Sequence, residues 1–136
     1  MSERQDIRLT VNGETVAETV EPRMTLVDFL RETRIGFAEL ARRHGDYAMV
    51  GLAAAARADG AKLNDLRLAF FGVGATPVRA RNAEAALAAG DLEAAVAALA
   101  HDLDPPDDVQ AEGRVKKHLA GALLRRVAHQ LGEAIA

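Results

Sequence analysis

The stretch FAELARRHGDYAMVGLAAAARADGAKLNDLRLAFFGVGATPVRARNAE, residues 37–84, decides the fold and contains the densest apolar run of the chain. Residues Gly36–Arg43 are predicted to form a helix that stops at Gly45. The next segment, Ala48–Ala58, is ambiguous. Its alanines favour a helix, whereas the internal Gly51 and the two-residue turn signal Asp59-Gly60 favour a strand that leads into the strand candidate 66–73.

Separated motifs within and beyond this stretch resemble one protein family. They are Gly45-Asp-Tyr-Ala48, Gly72-Val-Gly-Ala-Thr-Pro-Val-Arg79, Asn82-Ala-Glu-Ala-Ala-Leu87 and Lys117-His-Leu-Ala-Gly-Ala-Leu-Leu-Arg-Arg126. Together they resemble the C-terminal domain of the FAD-binding medium subunit of molybdenum hydroxylases of the carbon monoxide dehydrogenase and xanthine oxidase type, over residues 37–136. The resemblance implies two adjacent antiparallel strands in the ambiguous region. The alanines would then mark a sheet face that lies close against a helix.

The second half of the chain carries helix signals. Asn82 is predicted to cap a helix that runs to Ala89 and is closed by Gly90, and Asp91 to cap a helix over residues 92–101. The prolines make residues 104–108 a loop. A last helix is expected over residues 113–134, with an apolar stripe of Val115, Leu119, Ala122, Leu123, Val127 and Leu131. Strand hairpins followed by helices predict an α+β fold, with an antiparallel sheet packed against helices.

The N-terminal segment carries a hairpin signal. Apolar and polar residues alternate in two runs, residues 7–11 and 15–20. These runs flank Asn12-Gly13, a pair that favours a type I′ turn. Thr25 is predicted to cap a short helix over residues 26–30. Residues 1–35 resemble the start of the [2Fe–2S] small subunit of the same enzymes, as a truncated ferredoxin-like (β-grasp) hairpin plus helix. The expected domains are therefore 1–35 and 36–136. The apolar hairpin residues pack either on the second domain or on another copy of the chain.

Composition excludes several classes of function. The chain has 136 residues, no cysteine and a formal charge of −3, so it holds no thiolate-bound zinc or iron–sulfur cluster and is not expected to bind nucleic acid. The absence of a long apolar run and the polar start predict neither a membrane span nor a secretory signal, and a cytoplasmic location is expected. Five basic residues after Gly113 are interpreted as solvated helix faces, with an electrostatic docking surface as the alternative: Arg114, Lys116, Lys117, Arg125 and Arg126.

No constellation in the sequence predicts a reaction. Gly72-x-Gly74 is half of a dinucleotide fingerprint, with Pro77 in place of the third glycine, and is interpreted as a strand-end turn, with an anion nest as the alternative. Asp46 is interpreted as a turn residue and Tyr47 as a surface anchor. No catalytic, cofactor-binding or metal-binding residue and no cofactor is therefore assigned. The candidates are the histidines His44, His101, His118 and His129, the acidic residues Asp102, Asp104, Asp107 and Asp108, which are interpreted as a solvated loop, and Arg79 and Arg81, which are interpreted as surface residues.

Two functions follow from the resemblance. The first is a non-catalytic interaction or structural module without the iron–sulfur and FAD-binding motifs. Its partner would be a second copy of the chain, giving a homo-oligomer, or molybdenum hydroxylase subunits. The alternative is an accessory subunit of an oxidoreductase complex that contributes to flavin or electron-transfer assembly. The sequence does not identify a substrate, because the resemblance implies that the large molybdenum subunit determines substrate choice.

Overall fold

A computed structural model describes residues 4–11, 13–20, 33–59 and 62–133. The chain divides into two compact units, Met1–Glu32 and Thr33–Ala136. The helix predicted from Thr25 lies outside the described residues.

The first unit contains an antiparallel hairpin, as the alternating runs predicted. Strand β1, Gln5–Val11, pairs with β2, Glu14–Val20, and Val11 lies opposite Glu14, so two residues connect the strands. Gly13 has a φ of 82°, the left-handed conformation that such a turn requires. The Thr19 hydroxyl donates a 2.6 Å hydrogen bond to Asp6 across the ladder.

The second unit is a four-stranded antiparallel sheet with three helices on one face. Its strands, in the spatial order β3-β4-β5-β6, are Thr33–Leu40, Val50–Asp59, Lys62–Phe71 and Val78–Arg79. Its helices are α1, Arg81–Ala88, α2, Leu92–Asp102, and α3, Gly113–Glu133. The predicted α+β class with an antiparallel sheet packed on helices is confirmed.

The helix predicted for Gly36–Arg43 is wrong, because residues 36–40 belong to β3 and residues 41–43 follow the strand outside any helix. The residues of β3 alternate between exposed and buried, and Gly36 pairs with Ala54 of β4. A Cβ at Gly36 would lie 2.7 Å from Cγ1 of Val127 in α3, so the glycine lets the helix approach the strand closely. Helical propensity is weak here compared with strand pairing and this close packing.

The ambiguous alanine segment is a strand, as the resemblance implied. In β4 the side chains of Ala54 and Ala56 are buried beneath the helices. Asp59 pairs with Lys62, so the connection consists of residues 60–61 and lies one position beyond the predicted Asp59-Gly60.

The helix caps differ in part from the predictions. Asp91 caps α2 as expected, by accepting a 2.9 Å hydrogen bond from the Ala94 amide. Asn82 does not cap α1, because Ala80 holds the N-cap position. The carboxylate of Asp102, at the end of α2, instead accepts hydrogen bonds from the Asn82 and Ala83 amides. A residue distant in sequence therefore satisfies the orphan donors of α1.

The core lies between the inner face of the sheet and α3. Its largest fully buried side chains include Leu52, Leu68, Phe70, Leu123, Leu124, Val127 and Leu131. The predicted α3 stripe is partly wrong, since Val115 and Ala122 are exposed whereas Lys116, Ala120 and Leu124 are buried. Among the described residues, no helix is long and apolar enough to cross a membrane.

Gly72 gives a direct test of the turn after β5. It has a φ of 78°, and a Cβ there would collide with the backbone carbonyl of Met49. We expect Gly72→Ala to lower the free energy of unfolding by about 1 to 3 kcal/mol through backbone strain and collision. Urea unfolding followed by circular dichroism measures this loss.

The matched control is Gly74→Ala. The nearest atom to a Cβ at Gly74 is 3.8 Å away, and no left-handed φ is required. Equal unfolding free energies for the two variants would contradict the constraint at Gly72.

Candidate docking surface

The sheet has a second face, directed away from the helices, which we call the outer face. Strand register arranges nine of its residues in three rows across β3, β4 and β5. These rows are Glu39–Gly51–Phe71, Phe37–Ala53–Ala69 and Ile35–Ala55–Arg67. Small residues therefore occupy the central strand β4 and position 69 of β5, and the larger side chains lie along β3 and at positions 67 and 71 of β5.

Large apolar side chains lie exposed on the outer face. Ile35 is 77% exposed and Phe37 is 53% exposed. The rings of Phe37 and Phe71 stack, with centroids 5.9 Å apart and planes 20° from parallel. A Cβ at Gly51 would collide with the Phe71 ring, so the missing side chain leaves the space in which this ring lies. The result is an aromatic pair on a flat alanine and glycine surface.

The edge of β3 is partly closed by α3. The Phe37 amide donates a 3.0 Å hydrogen bond to Oε1 of Gln130, so this N–H points away from β4. A side chain of α3 thereby occupies a donor that another strand would otherwise use. The Phe37 amide at this edge is therefore not available to another strand.

A buried lysine joins loops at one end of the second unit. Lys116 is 2% exposed, and its Nζ donates a 3.1 Å hydrogen bond to the Gly72 carbonyl and a second bond to the Asp108 carboxylate. Arg42 donates to the Gln110 carbonyl. The loops after β3 and β5 are thus both fastened to the α2–α3 segment. The lysine was interpreted from sequence as part of a solvated face, and that interpretation is wrong.

We call the two hydrogen bonds from Lys116, to the Gly72 carbonyl and to the Asp108 carboxylate, the clamp. Asp108 is its negatively charged member. The hydrogen bond from Lys116 lowers the pKa of Asp108 from 3.8 to about 2, with further help from the Ala111 and Gln110 amides. Each of these donors favours the ionised carboxylate.

The other acidic loop residues also bond to backbone. Asp107 accepts a 2.6 Å hydrogen bond from the Gly113 amide at the start of α3. Asp104, Asp107 and Asp108 are exposed, as the predicted solvated loop requires, and Asp102 and Asp108 also accept hydrogen bonds from backbone amides. The contact of Asp107 with Gly113 spans six residues, whereas an N-cap side chain bonds an amide two or three residues further on, so sequence reasoning had no local signal for it.

The two candidate arginines, Arg79 and Arg81, differ in their contacts. Arg79 forms a bidentate pair with Glu84, at 2.7 and 3.1 Å, and Glu84 also accepts from the Leu68 amide of β5. Both arginines are exposed as predicted, and Arg79 also has a structural role through its pair with Glu84. All four histidines are exposed, and the described residues contain no group of three or more metal-ligating side chains.

The loop with half of a dinucleotide fingerprint does not fit the pyrophosphate of FAD. It connects β5 to the antiparallel strand β6 rather than opening a helix, and its Gly72 carbonyl accepts from Lys116. A pyrophosphate site needs backbone donors at a helix N-terminus. Tyr47, on the loop after β3, is 92% exposed, which agrees with a surface position.

Removing the Lys116 ammonium tests the clamp. We expect Lys116→Met to lower the free energy of unfolding by about 1.5 to 3 kcal/mol, because charge-assisted hydrogen bonds to Gly72 and Asp108 are lost. Lys117→Met is the matched control, since the Nζ of Lys117 makes only a 3.4 Å exposed contact with the Ala100 carbonyl. An equal loss of stability in both variants would refute a specific role of Lys116.

Asp108 predicts an acid-dependent loss of stability. Because its folded pKa is depressed, its contribution is complete above the unfolded pKa and is lost as pH falls from about 4 towards 2. We expect the difference in unfolding free energy between the wild-type chain and Asp108→Asn to shrink across this window. Urea unfolding at pH 7, 4 and 2.5 measures it, and a constant difference would contradict the assignment.

Comparisons with known proteins identify the architecture. The family model for the CO dehydrogenase flavoprotein C-terminal domain matches residues 35–131. The alpha subunit of the 6-hydroxypseudooxynicotine dehydrogenase complex of Paenarthrobacter nicotinovorans is 28% identical over 120 residues, which are 84% of this chain and 39% of that subunit.

Solved structures agree with the family match. Carbon monoxide dehydrogenase from Hydrogenophaga pseudoflava superposes with a TM-score of 0.71 at 26% identity, over 93% of this chain and 44% of that one. Quinoline 2-oxidoreductase from Pseudomonas putida 86 gives 0.66 at 26% identity, over 88% and 41%. The similarity is to the medium subunits of these enzymes.

The structural match to carbon monoxide dehydrogenase covers more of the chain than the second unit alone. Residues 33–136 make up about three quarters of the chain, so a match over 93% includes part of the first unit. The resemblance of residues 1–35 to the iron–sulfur small subunit stays a prediction. The chain spans about two fifths of the length of the relatives it matches. With most of its second unit matched by the family model, the chain belongs to the CO dehydrogenase flavoprotein C-terminal domain family.

Proposed function

We propose that this chain is a non-catalytic interaction module that docks through the outer face onto a protein partner in a molybdenum hydroxylase-type oxidoreductase assembly. The observation that carries the proposal is the outer face itself, where Ile35 and the stacked Phe37 are exposed beside a surface of small residues. The similarity to a subunit of a dehydrogenase complex supports a protein rather than a small molecule as the partner.

The composition of the outer face suits protein contact. Its centre is apolar and contains an aromatic pair, while charged Glu39 and Arg67 lie at its periphery. Protein interfaces have this arrangement, with an apolar centre enriched in aromatic residues and a polar rim. Phe37 and Phe71 would act as the anchors, because large rings bury much area at low conformational cost.

Buried hydrogen bonds within the module support the same role. The buried ionisable side chains Glu84 and Lys116 are bonded to the Leu68 amide and the Gly72 carbonyl. These groups therefore hold strands and loops in place. A partner would meet a preformed surface, which lowers the cost of association.

A second candidate is an accessory subunit that contributes to flavin or electron-transfer assembly. The family match to a flavoprotein domain favours it. In both candidates residues 1–35 are a truncated ferredoxin-like hairpin plus helix, residues 36–136 are the CO dehydrogenase flavoprotein C-terminal-like domain, and the setting is the cytoplasm.

Replacing Phe37 by a charged residue tests docking. We expect Phe37→Glu to weaken binding to a purified CO dehydrogenase-type assembly that lacks its flavoprotein subunit by about 10-fold or more, because a buried phenylalanine contributes about 1.5 to 3 kcal/mol. Biolayer interferometry measures the dissociation constant.

Val109→Glu is the control for this experiment, because Val109 is 96% exposed on a loop after α2 rather than on the outer face. Equal thermal unfolding curves for both variants would show that the folds are intact. Equal weakening by both substitutions, or by neither, would refute docking through the outer face.

Native mass spectrometry separates the two candidate functions. The interaction module is expected to appear as the bare chain, alone or as an oligomer, after purification in the presence of FAD. A mass increase that corresponds to FAD would reject the non-catalytic module and favour the flavin-assembly role.

A further inference from the structure

We infer that, without another partner, the outer face binds the outer face of a second copy of this chain, and that the contact is set by Glu39 and Arg67. This inference rests on the proposed docking function and names the occupant of the same surface. The observations that carry it are the positions of these two charges and the apolar residues between them.

The two charges lie at opposite corners of the outer face. Glu39 begins the first row on β3, and Arg67 ends the third row on β5. Both side chains are exposed. Among the described residues, Glu39 forms no ion pair, and an arginine has five N–H donors, so Arg67 can bind a further carboxylate beyond contacts in its own chain.

Two-fold symmetry converts this arrangement into self-complementarity. In a face-to-face pair, the symmetry axis lies in the interface between the two sheets. An axis perpendicular to the line from Glu39 to Arg67 places the Glu39 of each copy over the Arg67 of the other. Two oppositely charged pairs then form at once, at the two ends of one interface.

The same axis fixes the crossing of the sheets. Neighbouring strands lie about 4.8 Å apart and each residue rises about 3.3 Å along a strand, which together set the angle between the Glu39–Arg67 line and the strands. Because the axis is perpendicular to that line, the strands of the two copies cross at roughly 70°. This lies near the orthogonal class of sheet packing. The central alanines permit it, because Ala53, Ala55 and Ala69 leave room for the Phe37 ring of the opposite copy.

The size of the outer face limits the strength of self-association. Three strands and five residues along each strand cover roughly 14 Å by 17 Å. This is small beside a standard stable interface, so we expect a weak, concentration-dependent dimer. The charge pairs lie at the rim and add salt sensitivity. Since a partner subunit would cover the same residues, dimerisation and docking exclude each other.

Charge exchange tests the inference in the full chain. Sedimentation velocity from about 5 to about 500 μM, at low salt, is expected to show a monomer–dimer equilibrium. Glu39→Arg and Arg67→Glu are each expected to weaken the dimer at least about 10-fold, because both symmetry-related pairs become like-charged. The double exchange, with both substitutions in one chain, is expected to restore it.

Control variants reverse charges elsewhere. Asp104→Arg and Arg126→Glu alter exposed side chains off the outer face and are expected to leave the dimer unchanged. Thermal unfolding of every variant establishes that its fold is retained, and the restored double exchange cannot arise from simple unfolding.

The outcomes separate the inference from the docking function. A monomer at every concentration, a dimer insensitive to either single reversal, or a double exchange that stays weak would each overturn the self-contact. Docking fails separately, when Phe37→Glu leaves binding to the flavoprotein-free assembly unchanged. A dimer that such an assembly dissociates would support both.

Discussion

The packing of α3 on the inner face of the sheet is the constraint on which the second unit depends. Leu123, Leu124 and Val127 are fully buried in the core that contains Leu52 and Phe70 of the sheet. A sheet needs only one buried face to be stable, and here α3 packs on β3 and β4, α1 contacts β5, and α2 packs against these two helices. On the outer face, Ile35 and Phe37 are exposed.

Close approach between α3 and the sheet also explains the glycine of β3. Any side chain at Gly36 would meet Val127, and the neighbouring Gln130 reaches the edge amide of Phe37. One helix thus supplies apolar packing, excludes a side chain and occupies an edge donor. These contacts favour the outer face over the strand edge as the docking surface.

Polar side chains connect strands, loops and a helix end through hydrogen bonds, in addition to the apolar packing of the core. Lys116 fastens two loops, Glu84 joins β5 to Arg79, and Asp102 caps α1. Each joins segments that are separated in the chain. Because a buried charge without partners is costly, such groups fix the loops as well as stabilise them.

The sequence by itself determined the features that depend on neighbouring residues: the N-terminal hairpin through its Asn-Gly pair, the Asp91 cap of α2, the loop at the prolines and the extent of α3. The motif resemblance predicted the family and predicted that β4 is a strand, and both predictions are confirmed. Only the tertiary structure decided that residues 33–40 form a strand, since the propensity of this segment is overridden by pairing with β4 and by contact with Val127. It alone also decided that Lys116 is buried and that Ile35, Phe37 and Phe71 share an exposed face, because register and burial arise from contacts between distant residues.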